Sequence, residues 1–280
     1  MPEGDTILRA ARTLHRALAG RAVVRFESVL PALTRIHEDA PITGRTIESV
    51  TAQGKHLLIA FSGGLVLRTH LRMNGSWHIY RPGEPWQRSR RDMRVVVATS
   101  EYEAVAFNVP VAEFLRERDL RRQEDLRRMG PDLLADDFDR AEALRRMRAR
   151  PALTVGDALL NQRIVAGAGN VYRSEVLFLC GIHPQARVDA VSDAALDQVL
   201  STAQRLMRAN VIDPQSTIVT YRGVRRTTRR ADPAERLWVY GRARKPCRRC
   251  GTPIRVTRIG PHARLTYYCP RCQTVAATIS

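Results

Sequence analysis

Apolar residues recur at roughly helical spacing over residues 5–19, DTILRAARTLHRALA, from Ile7 to Leu18, and Gly20 follows as a stop signal. From residue 22 to 111 the pattern shortens. AVVRFESV, HLLIAFS, GLVLRTHL, SWHIY, MRVVVAT and EAVAFNVPV are brief, β-branched runs separated by Gly, Pro, Asn and Ser. They predict a largely antiparallel sheet domain. Residues 84–92, EPWQRSRRD, predict a polar hairpin loop. From about residue 113 the chain is expected to turn helical and strongly charged, through FLRERDLRRQEDLRRMG, GPDLL and DRAEALRRMRAR, until Pro151 breaks the run. TVGDALLNQRIVAGAGNVYRSEVLFLC at 154–180 predicts helix, glycine-rich turn, helix, and 192–211 predicts one more helix. Residues 213–246 predict a basic loop and linker. Together these give an α+β chain in three parts: 1–112 as a sheet domain, 113–238 as a helical domain, and 239–280 as a small terminal module.

Length and charge sharpen this. The 280 residues suit two domains of ordinary size. Lys and Arg number 46 against 28 Asp and Glu, a net +18, which points to a polyanionic partner. A codon bias toward arginine accounts for part of the arginine excess but not for the imbalance, which acidic residues are free to offset. No apolar run approaches the ~20 residues needed to span a bilayer, so no membrane partner is expected. MPEGDTILRA is too acidic for a signal peptide. A cytoplasmic setting follows as an expectation, and reduced thiols with it.

The cysteines carry the most specific local signal. CRRC at 247–250 and CPRC at 269–272 are two C-x-x-C knuckles 18 residues apart. Two knuckles complete a four-thiolate tetrahedron, and PIRVTR and ARLTYY between them have strand character. The expectation is a β-hairpin finger with one structural Zn²⁺ per chain, held by Cys247, Cys250, Cys269 and Cys272. A rubredoxin-type iron centre is the alternative the spacing leaves open. A closed four-thiolate shell has no position for a reactive water. Cys180, in LFLCGIH, suits buried packing.

Three other segments are weak singly. Gly167 and Gly169 permit a tight turn before the helix that starts near Asn170, whose free N–H groups favour a phosphate; helical-hairpin packing explains the same glycines. Removal of Met1 would leave Pro2 with a secondary amine of pKa roughly 7.7–8.0, far more often unprotonated at neutral pH than a lysine. Such an amine can attack a sugar carbon, and Glu3 beside it can move protons. Met-Pro-Glu is otherwise an ordinary chain start. Lys55, in QGKHLLI, reads equally as a surface lysine, and Met73, in HLRMNGSW, as core or as an exposed wedge between stacked bases.

Taken together, the segments resemble the Fpg/Nei family of bifunctional DNA glycosylases, most closely its endonuclease VIII branch of the actinobacterial kind. The resemblance rests on PEGDT at 2–6, GKHL at 54–57, HLRMNGSW at 70–77, GPDLL at 130–134, NQRIVAGAGNVYRSEVLFLCGIHP at 161–184 and RLTYYCPRCQ at 264–273, in order along the whole chain. It implies an N-terminal two-layered β-sandwich with an N-terminal helix, a helix–two-turn–helix domain and a four-cysteine finger, with DNA in the cleft between the domains. It implies Pro2 as Schiff-base nucleophile and Glu3 as acid. Lys55 would bind phosphate and serve β-elimination. Asn170 would bind the same phosphate region, Met73 would fill the stack, and Arg264 would bind phosphate and assist δ-elimination. The implied partner is damaged DNA, whether duplex, bubble or single-stranded, met by a monomer at a bacterial nucleoid.

Three departures bear on substrate. Many members have a second carboxylate where this chain has Thr6, and the usual Asp-Gln is Asn161-Gln162. The Arg-Phe-Gly wedge of Fpg-type chains is replaced by AFNVPV. The missing arginine argues for oxidised pyrimidines. An Fpg-like action on oxidised purines and a catalytically silent DNA-binding relative are the alternatives.

Overall fold

The computed structural model describes residues 2–120, 122–211, 225–228, 232–260 and 263–274. The chain divides into two compact units, Met1–Arg128 with Val211–Arg222, and Met129–Asn210 with Gly223–Ser280.

The first unit opens on helix α1, Gly4–Leu18, which buries Ile7, Leu14 and Leu18 on one face. Strand β1, Arg25–Ser28, and helix α2, Pro31–Asp39, follow. Then come β2, Ile47–Gln53, β3, His56–Phe61, β4, Leu65–His70, and β5, Ser76–Tyr80. Strands β6, Met93–Ala98, β7, Glu103–Phe107, and β8, Val111–Arg116, complete two antiparallel sheets. Their orders are β2-β3-β4-β8 and β1-β6-β7-β5. Leu57, Ile59 and Phe61 from one sheet and Val95, Val97, Ala104 and Ala106 from the other share a core with α1. This is the expected sandwich with its N-terminal helix.

Three local expectations are corrected. Helix α2 falls inside the stretch read as strands; it buries Leu33 alone, so it leaves no apolar stripe for periodicity to detect. Residues 113–116 are not helical but belong to β8, paired with β4 in the register Arg68↔Glu113 and Leu67↔Phe114. The two short helices α3, Glu117–Leu120, and α4, Glu124–Arg127, begin only after it.

The third correction concerns residues 84–92, which do not close a hairpin. β5 and β6 both pair with β7, one on each side, so the connection must cross the sheet rather than turn at its edge. It does so over an outer face that is also apolar: Tyr80, Val96, Val105 and Phe107 form a second cluster against which Trp86 of the connection packs. Trp86 stacks on Tyr80 and meets Phe107 edge-on, and its Nε1 donates to Glu103 at 2.5 Å. A sheet apolar on both faces needs such a cover.

The second unit holds α5, Arg140–Arg148, α6, Val155–Leu160, α7, Asn170–Leu179, and α8, Asp193–Ala209. Caps define three of them: Asp139, Thr154 and Ser192 each accept an N–H of the first turn. Their apolar faces meet around Leu159, Tyr172, Leu177, Leu200 and Leu206. Strands β9, Arg255–Ile259, and β10, Arg264–Tyr268, form an antiparallel hairpin in register Arg264↔Ile259. Residues 213–224 and 229–231 of the basic linker at 213–246 lie outside the described residues.

Candidate active site and metal centre

In the first unit, Pro2 is half-buried and leads straight into α1. Glu3 is the N-cap residue and is fully buried; its carbonyl accepts the N–H groups of Thr6 and Ile7. Asp5, one residue before the position that lacks the second carboxylate, is also fully buried. Thr6 Oγ1 donates to Asp5 Oδ1 at 3.4 Å, and Asp5 Oδ2 lies 3.9 Å from Arg9 Nη2.

Lys55 occupies the two-residue loop Gly54-Lys55 that joins β2 to β3. Gly54 takes the positive φ, 57°, at the first loop position, where the twist of paired strands calls for glycine. Next to it lies a group the sequence reading missed. His70, at the end of β4, feels the Lys55 charge and stacks edge-on against His56 at 4.8 Å. Burial, then the neighbouring Lys55, Arg72 and Arg68 charges, push His70 down to about 4. Burial, His70 and Arg68 push His56 to about 3. Both rings are neutral at pH 7. His70 Nδ1 accepts the Arg72 N–H at 3.2 Å, which leaves the ring proton on Nε2 as a donor. Its signal was its place in HLRM, beside the residue read as a wedge.

Met73 is 58% exposed at a tight turn. A Cβ at Gly75 would stand 2.5 Å from the Leu71 carbonyl oxygen, so only glycine closes this turn and lifts Met73 off the surface. The segment in place of the arginine wedge offers no exposed side chain of that size: Val109 is fully buried.

In the second unit, Asn170 begins α7, with Gly169 as N-cap. Its Nδ2 donates to the Leu265 carbonyl at 2.8 Å, and its Oδ1 accepts from Arg173 at 2.5 Å. Asn170 and the finger hairpin are therefore one hydrogen-bonded assembly. Arg264 is the first residue of β10 and is exposed. Asn161, standing where the family has aspartate, still accepts the Arg163 N–H at 3.0 Å, so an uncharged amide does the local capping. Gln162 accepts the Gly167 N–H and donates to the Ala168 carbonyl, which shapes the glycine turn.

The four cysteine sulfurs lie within 4.8 Å of one another. Cys250 Sγ is 3.5 Å from the sulfurs of both Cys269 and Cys272, and Cys247 Sγ is 4.0 Å from that of Cys272. A tetrahedron with Zn–S of ~2.3 Å has edges of ~3.8 Å. The backbone N–H groups of Arg249 and Cys272 point at Cys247 and Cys269 sulfurs, as in thiolate knuckles. The donor set fits a metal ion. Glu175 of α7 anchors the approach to this centre, accepting the backbone N–H groups of Trp238, Val239 and Tyr240 at 2.8, 2.9 and 2.8 Å and the Thr227 hydroxyl. Burial pushes its carboxyl above the ordinary value while these donors pull it back.

A capped sandwich, a helix–two-turn–helix core and a four-thiolate hairpin define a protein of the Fpg-like glycosylase fold. The sequence comparisons agree. Residues 1–130 match the formamidopyrimidine-DNA glycosylase N-terminal domain, 129–222 its H2TH domain, and 244–275 the zinc finger found in FPG and IleRS. The chain belongs to the formamidopyrimidine-DNA glycosylase (Fpg/Nei) family. It is 42% identical to a probable endonuclease 8 2 of Streptomyces coelicolor, over 98% of this chain and 94% of that protein. It is 35% identical to the DNA-(apurinic or apyrimidinic site) lyase Nei2 of Mycolicibacterium smegmatis, over 99% and 100%. Its fold superposes with TM-score 0.82 on Lactococcus lactis Fpg in complex with DNA containing an oxidised pyrimidine, at 22% identity over 98% and 100% of the two chains.

Proposed function

We propose that this protein is a bifunctional DNA glycosylase and AP lyase of base excision repair that removes oxidised pyrimidines, with Pro2 as nucleophile. The observation that carries the reading is the pairing of Pro2, at the head of α1, with a wholly buried Glu3 beside it. The Pro2 nitrogen attacks C1′ of the damaged nucleotide, the bond to the base breaks, and the base leaves with a proton that Glu3 can supply. The Pro2 nitrogen gives up its proton, the C1′–O4′ bond breaks as O4′ takes a proton that Glu3 can relay, and the iminium so formed acidifies the 2′ proton. Its loss expels the 3′ phosphate, a second elimination expels the 5′ phosphate, and hydrolysis frees Pro2. Lys55 and His70 offer a cation and a neutral N–H donor for phosphate on the first unit; Asn170 and Arg264 do so on the second. Met73 would fill the gap left by the flipped nucleotide. One Zn²⁺ held by the four thiolates would stiffen the hairpin that carries Arg264, and the closed shell keeps the ion out of the chemistry.

The substrate preference rests on the absent arginine wedge. The test is borohydride trapping on DNA with 5-hydroxyuracil or 8-oxoguanine, in duplex, bubble and single-stranded form. A covalent adduct is expected on 5-hydroxyuracil DNA, carried by protein whose mass lacks Met1, and none when a short extension blocks Pro2. Undiminished trapping by the blocked protein removes Pro2 from the mechanism. Preference for 8-oxoguanine opposite cytosine overturns the pyrimidine assignment.

A further inference from the structure

We propose that Asp157 is a positioning residue for phosphate binding by the second unit: acting through the buried Arg173 and against Gly260, it fixes where Arg264 and Asn170 stand. The proposal rests on the reading of Arg264 and Asn170 as phosphate ligands.

Arg173 of α7 is fully buried. Its Nη2 donates to Asn170 Oδ1 at 2.5 Å, to the Arg264 carbonyl at 3.2 Å and to the Leu265 carbonyl at 3.4 Å. One guanidinium edge thus holds both phosphate-binding residues. The other edge faces α6, where Nη1 lies 3.7 Å from Asp157 Oδ1. A guanidinium is planar and rigid, so fixing one edge orients the other. A buried cation also needs a nearby anion to keep it in place.

Asp157 is itself held. Thr154 Oγ1 donates to its Oδ2 at 2.9 Å, while the same hydroxyl accepts the Asp157 N–H. The finger loop passes directly over this carboxylate. A Cβ at Gly260 would stand 2.4 Å from Asp157 Oδ1, and Gly260 has φ +76°, so glycine alone fits there. Gly156, beside Asp157 in α6, leaves the room that the Arg173 side chain needs; a Cβ there would press on Arg173 Cδ at 3.3 Å. Asp157, Asn161, Gln162, Gly260 and Arg264 line a common cavity of about 340 Å³. Asp157 therefore touches the loop before Arg264 and, through Arg173, the backbone of Arg264 itself. Phosphate geometry is sensitive to such supports, since displacements of ~1 Å can cost about a hundredfold in rate.

The experiment compares the full protein with Asp157→Asn, Arg264→Ala and the double variant. Binding is measured against salt on a duplex carrying a tetrahydrofuran abasic analogue, which cannot be cleaved. The partition between β and β,δ products is measured on abasic-site DNA. Asp157→Asn is expected to bind roughly fivefold more weakly, to lower the salt slope by about one phosphate contact, as Arg264→Ala does, and to shift products toward β-elimination. The double variant should be weaker than Arg264→Ala only by what Asn170 loses, well short of the product of the two single effects. A wild-type slope and product ratio in Asp157→Asn, or multiplying effects in the double variant, overturns the proposal. Should Asp157→Asn lose metal or melt early, Arg173→Lys replaces it. That variant keeps the charge beside Asp157 but not the fork, and wild-type behaviour from it is equally fatal. If the unaltered protein fails to trap under borohydride, the glycosylase reading falls while the salt slopes still judge Asp157. If it binds no DNA, both fall.

Discussion

The two neutral histidines beside Lys55 make stability depend on pH in a definite direction. In the unfolded chain each imidazole titrates near 6.5, whereas the folded pair is held near 3 and 4. Below pH ~6.5 the unfolded state takes up protons that the folded state refuses. This contribution is therefore whole above 6.5 and is lost progressively as pH falls toward 4. Melting temperature is expected to fall over that window, and His56→Asn with His70→Asn should flatten the fall; an unchanged slope would show that other groups set it. Glu175 makes a second residue-level prediction. Glu175→Ala leaves three backbone N–H groups without their acceptor and is expected to cost about 3 kcal/mol or more, seen as a lower denaturant midpoint. The candidate site residues stood out in the sequence because their types are rare in those settings: four spaced cysteines, a proline at the chain head, glycines before Asn170. His70, Asp157 and Arg173 were not. A histidine in a strand, an aspartate in a helix and one arginine among so many carry no signal until folding buries them together.

At the level of elements, legibility followed the strength of the repeating pattern. α1 and α8 carry sustained apolar faces and appear where expected, each beginning within a residue of the predicted segment. α2 buries one residue, and β8 alternates charged and apolar positions in a segment dominated by arginine, so pairing with β4 decided its structure rather than its own composition. Val256 and Leu265 are exposed on the finger hairpin, while Ile259 and Thr266 are buried. Stripping the metal with a chelator is expected to abolish DNA binding while the first unit keeps its cooperative melting; DNA binding that survives chelation would refute the finger's role. The turn at 71–75 makes a separate claim. Met73→Ala should leave the melting temperature unchanged, because the side chain is exposed, yet slow excision from duplex more than from single-stranded DNA.

For the whole molecule, +18 of net charge implies an affinity for DNA that falls steeply with salt. The slope of log K against log salt should correspond to several phosphate contacts, and a flat dependence would contradict a phosphate-dominated interface. Charge and motif order were enough to place the chain in its family. The strand order was not in the sequence at all, because which strands pair is settled only when distant segments meet.

The crossing connection between β5 and β6 has a consequence for how the protein comes into being. The strand that lies between them, β7, is made after both. On the ribosome, β5, the tryptophan-bearing connection and β6 must wait for a partner still to be synthesised, with Tyr80, Trp86 and Val96 lacking the Phe107 side chain they pack against. Assembly of this sheet cannot follow the order of translation, and the nascent chain passes through a stage in which an apolar face that the finished enzyme covers still lies open.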